Sequence, residues 1–137
     1  MLGNGTRTKW FLAYTCNFLN TAQGDTNVYN ILSNGGRLVM GLGSKSYIVA
    51  NEGSDFADYL NRGYTIADAF FQAGHDNQEG PFNNRSKKLY RVLYFGPEDG
   101  GTLNDTLIWP LTDVPYDRTI IKDEIINSFW GTDFQCY

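Results

Sequence analysis

Apolar residues recur along this chain in two rhythms, one continuous or alternating and one with a helical period. Trp10 to Thr15 is apolar and aromatic, comes after a polar lead-in and ends at Cys16-Asn17, the pattern of a buried strand with Cys16 at its C-terminal tip. From Asp25 to Ser33 the apolar positions Val28, Ile31 and Leu32 fall at helical spacing, and Asn34-Gly35-Gly36 comes next as a stop signal, which predicts a short helix. Arg37 to Leu42 is a continuous apolar run flanked by glycines. Such a run predicts a strand covered on both faces in a parallel sheet, lying beside the first.

The next stretch turns helical. Phe56, Ala57, Tyr59 and Leu60 share one helical face between Glu52 and Leu60, and Gly63 ends the pattern. Thr65 is an N-cap candidate with Asp68 three residues on, and Ile66, Ala69, Phe70 and Ala73 continue as an i, i+3, i+4, i+7 stripe. Gly74 to Ser86 is polar, contains Gly80-Pro81 and reads as a loop leading into a third strand, Leu89 to Phe95. Beyond Gly96, Thr106 to Trp109 predicts a short strand, and Pro110 and Pro115 break up the segment after it. Ile120 to Phe129 reads as a last short helix or an irregular packed segment. No repeat or linker breaks the chain, so residues 1–137 are expected to form a single α/β domain with a core over 9–110 and an irregular tail over 111–137.

The order strand, Cys, helix, glycine-flanked strand, then FADYLNRGYTIADAFFQAG and the strand YRVLYF resembles the latter half of the caspase-like folds, which include gingipains, legumains and caspases (clan CD). It looks like an uncharacterised bacterial and archaeal family of that superfamily. The resemblance implies a three-layer sandwich with a mostly parallel central sheet, and it puts Cys16 where active relatives carry their nucleophile. In those relatives a His, commonly in a His-Gly pair, sits on the strand before the cysteine. Only a thiolate attacks a carbonyl well, and a neighbouring imidazole populates it at neutral pH. Fifteen residues precede Cys16 and none is His. The expectation is therefore an incomplete caspase-like domain with a structural or interaction role. Its exposed sheet edge would pair with a second copy or with a partner polypeptide. A cysteine peptidase whose His comes from another segment, with N–H groups near Asn17 holding the oxyanion, is the alternative; a carbohydrate- or peptide-binding module is the third.

Each candidate has a plainer reading. Cys16 packs equally well as a small hydrophobe at a strand end. The sole histidine, His75, comes after the Ala-Phe helix and reads as a solvated or helix-capping loop residue; with Asp76 and Glu79 it matches no standard metal spacing. No cofactor or metal is therefore expected. The GLGS at 41–44 lacks the Lys-Ser/Thr ending of a phosphate loop and reads as tight packing around a buried strand. Trp10, Tyr14, Tyr47, Tyr90, Tyr94, Trp109 and Trp130 read mostly as core. Asp113, Asp117, Asp123 and Glu124 read as a solvated face rather than a glycosidase pair.

Composition narrows the partners. Hydrophobic residues make up 42% of the chain and charged residues 19%, enough for a core and against a disordered chain. A net charge of -4 repels phosphate backbones, so nucleic acid is not an expected partner. The apolar runs are too short to span a bilayer. MLGNGTRTKW shows no apolar signal core, which leaves localisation open. Two cysteines, Cys16 and Cys136, leave one bridge open as a possibility and do not amount to a disulfide framework. Sequons at Asn4, Asn84 and Asn104 occur at about the chance level for such a chain.

Overall fold

A computed structural model describes residues 9–20, 26–46, 49–79, 86–97, 100–107 and 114–128. In chain order the elements are β1 (Trp10–Ala13), α1 (Thr26–Ser33), β2 (Leu38–Leu42), α2 (Ala50–Asn61), α3 (Ile66–Gln78), β3 (Ser86–Phe95), a 3-10 turn (Gly101–Asn104) and β4 (Thr119–Ser128). The four strands form one sheet in the order β1-β2-β3-β4. β1 runs parallel to β2, with Trp10 opposite Leu38. β2 and β3 are antiparallel, with Val39 opposite Leu93, and β3 and β4 are antiparallel from Ser86 opposite Ser128 to Phe95 opposite Thr119. The protein is thus α/β with three helices and a mixed sheet. The mostly parallel sheet expected from the sequence is corrected, since only the β1-β2 pairing is parallel. A buried apolar run fits a covered strand of either direction, so β2 and β3 carried no signal that distinguished the two.

Alternation along the strands builds a core on each face of the sheet. Leu38, Met40, Tyr90, Val92 and Ile126 meet Ile66, Phe70 and Phe71 of α3, with Phe56 and Leu60 of α2 packed against them. The intervening residues Val39, Leu93 and Phe95 meet Leu19 and the Val28, Ile31 and Leu32 stripe of α1. Phe70 and Tyr90 are fully buried, and each such large side chain stabilises the fold by roughly 1.5 to 3 kcal/mol.

The helix at Thr65 starts as the sequence predicts, with the Thr65 hydroxyl accepting from the Asp68 N–H at 3.0 Å. It does not stop at Gly74. A Cβ at that position would lie 2.5 Å from Tyr90 Cε2, so the glycine is there to let β3 approach the helix, and α3 continues through His75 to Gln78. The loop reading of His75 is corrected accordingly. The tail reading is corrected as well: Ile120 to Ser128 is strand, and its burial alternates from Lys122 to Ser128. Of the short strand expected at Thr106 to Trp109, the first two residues are not strand and the others lie outside the described residues.

One carboxylate ties three elements together. Asp105 accepts from Arg37 Nε at 2.7 Å and Nη2 at 2.8 Å, and from Trp10 Nε1 at 3.0 Å. Its backbone oxygen accepts from the Ile66 N–H at 2.8 Å, the entrance of α3. Both partners of the ion pair are buried, so the pair needs these additional hydrogen bonds to offset desolvation. Among the described residues no helix is long and apolar enough to cross a membrane.

Candidate functional site

Parallel strands β1 and β2 end on the same side of the sheet, the location where α/β proteins commonly bring polar groups together. β1 runs on into Tyr14, Thr15 and a turn at Cys16, where Asn17 adopts a left-handed φ of 58°. β2 runs on to Ser44 and Ser46. Cys16 Sγ accepts from the Ser46 N–H at 3.0 Å and lies 3.2 Å from the Ser46 carbonyl oxygen. The sulfur is engaged in a disulfide. The only other cysteine of the sequence, Cys136, lies outside the described residues. A disulfide sulfur is not a thiolate, so nucleophilic chemistry at Cys16 would require prior reduction. The Asn17 N–H, considered for an oxyanion, donates to the Ser44 carbonyl at 3.0 Å.

Beside this turn, the first turn of α2 buries Glu52 at 2% exposure. Tyr90 of β3 donates its hydroxyl to Glu52 Oε1, and Gln78 Nε2 of α3 donates to Oε2 at 3.2 Å. Ser128 of β4 in turn donates to Gln78 Oε1 at 3.3 Å. Burial raises the Glu52 pKa above the ordinary carboxylate range; the hydrogen bonds from Tyr90 and Gln78 oppose this, and the charge of Asp55 reinforces it. Burial and the nearby Glu52 charge push the Tyr14 and Tyr90 hydroxyls upward too. The Tyr14 hydroxyl is buried with no hydrogen-bond partner among the described residues. The hydrogen-bonded cluster links β3, α2, α3 and β4 through an acid held toward its neutral form, with the Tyr14 hydroxyl near it.

His75 lies elsewhere, on α3 facing β4. Its Nδ1 is 2.6 Å from Glu79 Oε1 and its Nε2 is 2.7 Å from Glu124 Oε2. Partial burial acts to lower its pKa, but hydrogen bonds to Glu124 and Glu79 and their charges outweigh burial and hold the imidazole above its ordinary value. Both ring nitrogens are therefore committed to carboxylates, and the structure forms no Cys16–His75 pair. Asp76 points away from this group, binding the Tyr59 hydroxyl and, at 3.1 Å, Gln72 Nε2. Among the described residues no three His, Cys, Asp or Glu side chains gather as a metal site.

The remaining candidates separate cleanly. Asp123 and Glu124, adjacent on β4, project to opposite faces: Asp123 pairs with Arg91 Nε at 2.7 Å while Glu124 reaches His75. Tyr90 and Tyr94 are buried core residues. A Cβ at Gly41 would lie 2.8 Å from Phe18 Cδ1, in keeping with close packing around β2. Asn104 is exposed at the end of the 3-10 turn; Asn4, Asn84, Tyr47, Trp109, Asp113 and Trp130 lie outside the described residues. Of the carboxylate pair around His75 only Glu79, four residues on, is in view in the sequence; Glu124 is 49 residues away on a strand that reads as a helix or an irregular segment.

A family model described as a domain of unknown function (DUF6345) matches residues 1–94. No curated protein and no solved structure matches the chain. The resemblance to the caspase-like superfamily is overturned by this result. Its pieces are ordinary α/β building blocks, and their order along the chain did not specify the mixed strand directions found here. The model match spans more than half of the sequence, and the chain belongs to the DUF6345 family.

Proposed function

We propose that this DUF6345 domain is a noncatalytic interaction module that pairs with a second copy of itself through the open edge of β1. The supporting observation is the edge itself. β1 is the first strand of the sheet, its partner on one side is β2, and no strand of the described residues pairs with its other side. All four of its residues, Trp-Phe-Leu-Ala, are only partly buried, whereas β2 beside it is buried throughout. The strand contains no charge, proline or bulge, the devices that usually discourage edge pairing.

Backbone direction is set by one bond. The Lys9 carbonyl accepts from the β2 side, from the Arg37 N–H at 2.6 Å. Alternation then turns the N–H and C=O groups of Trp10 and Leu12 outward. A two-fold pairing of two such edges is antiparallel and opposes no like charges within the strand. Sedimentation velocity at micromolar concentration is expected to show a dimer. Leu12→Pro removes an outward N–H and should give monomers, while Leu12→Ala, which loses the same side chain and keeps the N–H, should still dimerise. A wild-type protein that sediments as a monomer would defeat the reading.

A further inference from the structure

Between α3 and β4 lies an open cavity of about 230 Å³, lined by Tyr64, Asp68, Phe71, Gln72, His75 and Glu124. Its walls are of two kinds. Tyr64, 37% exposed at the rim, supplies ring surface, while Phe71, a core residue at 3% exposure, closes the floor. Asp68 and Glu124 supply carboxylates from the two elements that flank the opening. Glu124 Oε2 engages His75 Nε2. The Asp68 carboxylate has neither ion-pair nor hydrogen-bond partner among the described residues, while its backbone N–H donates to the Thr65 hydroxyl.

The aromatic walls already attract cations of this chain. The Lys122 ammonium sits 5.7 Å from the centre of the Phe71 ring, and the Arg62 guanidinium sits 5.5 Å from that of Tyr64. The charged and titratable groups around the cavity are Asp68, His75, Asp76 and Glu79 from α3, Lys122 and Glu124 from β4, and Tyr59 and Arg62 from the end of α2. Two carboxylates, Asp68 and Glu124, and no lysine or arginine line the cavity itself, in a chain of net charge -4. A cavity with ring walls, two carboxylates on facing elements and an excess of negative charge is complementary to an organic cation. Between one ammonium and one guanidinium, the flat guanidinium both stacks on a ring and presents several N–H donors in a plane, so it uses both kinds of wall at once.

We propose that this cavity binds an alkylguanidinium, the arginine side chain of a peptide, with Asp68 and Glu124 as its acceptors, Tyr64 as its ring surface and Phe71 beneath it as an apolar floor. The site lies away from the β1 edge and does not depend on pairing there. Because a cation on Glu124 competes with His75, binding lowers the titration midpoint of the imidazole, and protonation of His75 in turn weakens binding.

The chain has one histidine, so its imidazole Cε1–H gives a single proton resonance that reports on the cavity. Nα-acetyl-arginine amide, titrated to about 10 mM near neutral pH, is expected to shift that resonance saturably and to lower its midpoint. Nα-acetyl-citrulline amide, of the same shape without the charge, should leave it in place. Asp68→Asn should weaken the arginine response at least tenfold while the amide spectrum stays dispersed as in the wild type; Asp68→Glu should retain it. Absence of a saturable shift, an equal shift from citrulline, or an Asp68→Asn protein that binds as before each overturns the proposal. An equal or tighter response to Nα-acetyl-lysine amide overturns the guanidinium assignment.

Discussion

The two edges of the sheet are built on opposite plans. β4 is ten residues long, pairs with β3 along its whole length and carries Lys122, Asp123 and Glu124 at its middle. β1 is four residues long, uncharged, and held to the sheet by a single parallel pairing. Its anchorage comes from side chains: Trp10 reaches Asp105, which also holds Arg37 at the start of β2. One edge secures itself by backbone pairing and guards itself with charge. The other is fastened by one buried carboxylate and, among the described residues, left unguarded, which is the physical ground for expecting association there and not at β4.

Substitutions should expose this difference. Asp105→Ala leaves the Arg37 guanidinium buried without a counter-charge and the Trp10 N–H without an acceptor. A loss of about 3 to 5 kcal/mol is expected in urea unfolding, with the β1 amides losing hydrogen-exchange protection first. Ile126→Ala opens a hole where β4 meets α3 and should cost about 2 to 4 kcal/mol without loosening β1 selectively.

A third expected effect concerns pH. Glu52, with its pKa raised above 4.5, contributes stability that is fully present below that value and is lost as pH rises through the folded-state value. His75, raised above 6.5, contributes stability present below 6.5 and lost as pH rises through its own folded-state value. Both act in the same direction, so melting temperature should fall from pH 5.5 toward pH 9. Glu52→Gln should flatten that fall, read as a smaller drop in melting temperature between pH 5.5 and pH 9 than the wild type shows. The smallest effect belongs to the guarded edge: Ile125, 60% exposed on β4, should accept Thr with a change of under about 0.5 kcal/mol.

Legibility tracks the range of the forces involved. β1, α1, β2, α2 and the start of α3 are readable because capping, period and glycine stops act within a few residues. The end of α3 is not: Gly74 carries a local stop signal, but its purpose is a close approach to Tyr90, set by a strand that comes later. β4 misleads because its doublets Ile120-Ile121 and Ile125-Ile126 fit neither period until one member of each is assigned to each face. Cys16 stands out by its place at a strand tip, and the sulfur is found in a disulfide. The Glu52 cluster and the His75 cavity draw on residues 26 to 49 positions apart, and no local pattern announces them.

Asp105 lies beyond the residues that the family model covers, yet it secures three elements that fall inside them. The stretch that the family model matches is therefore not by itself a self-sufficient folding unit. A polypeptide cut after residue 94 would bury a guanidinium with nothing to neutralise it and should not hold a native state.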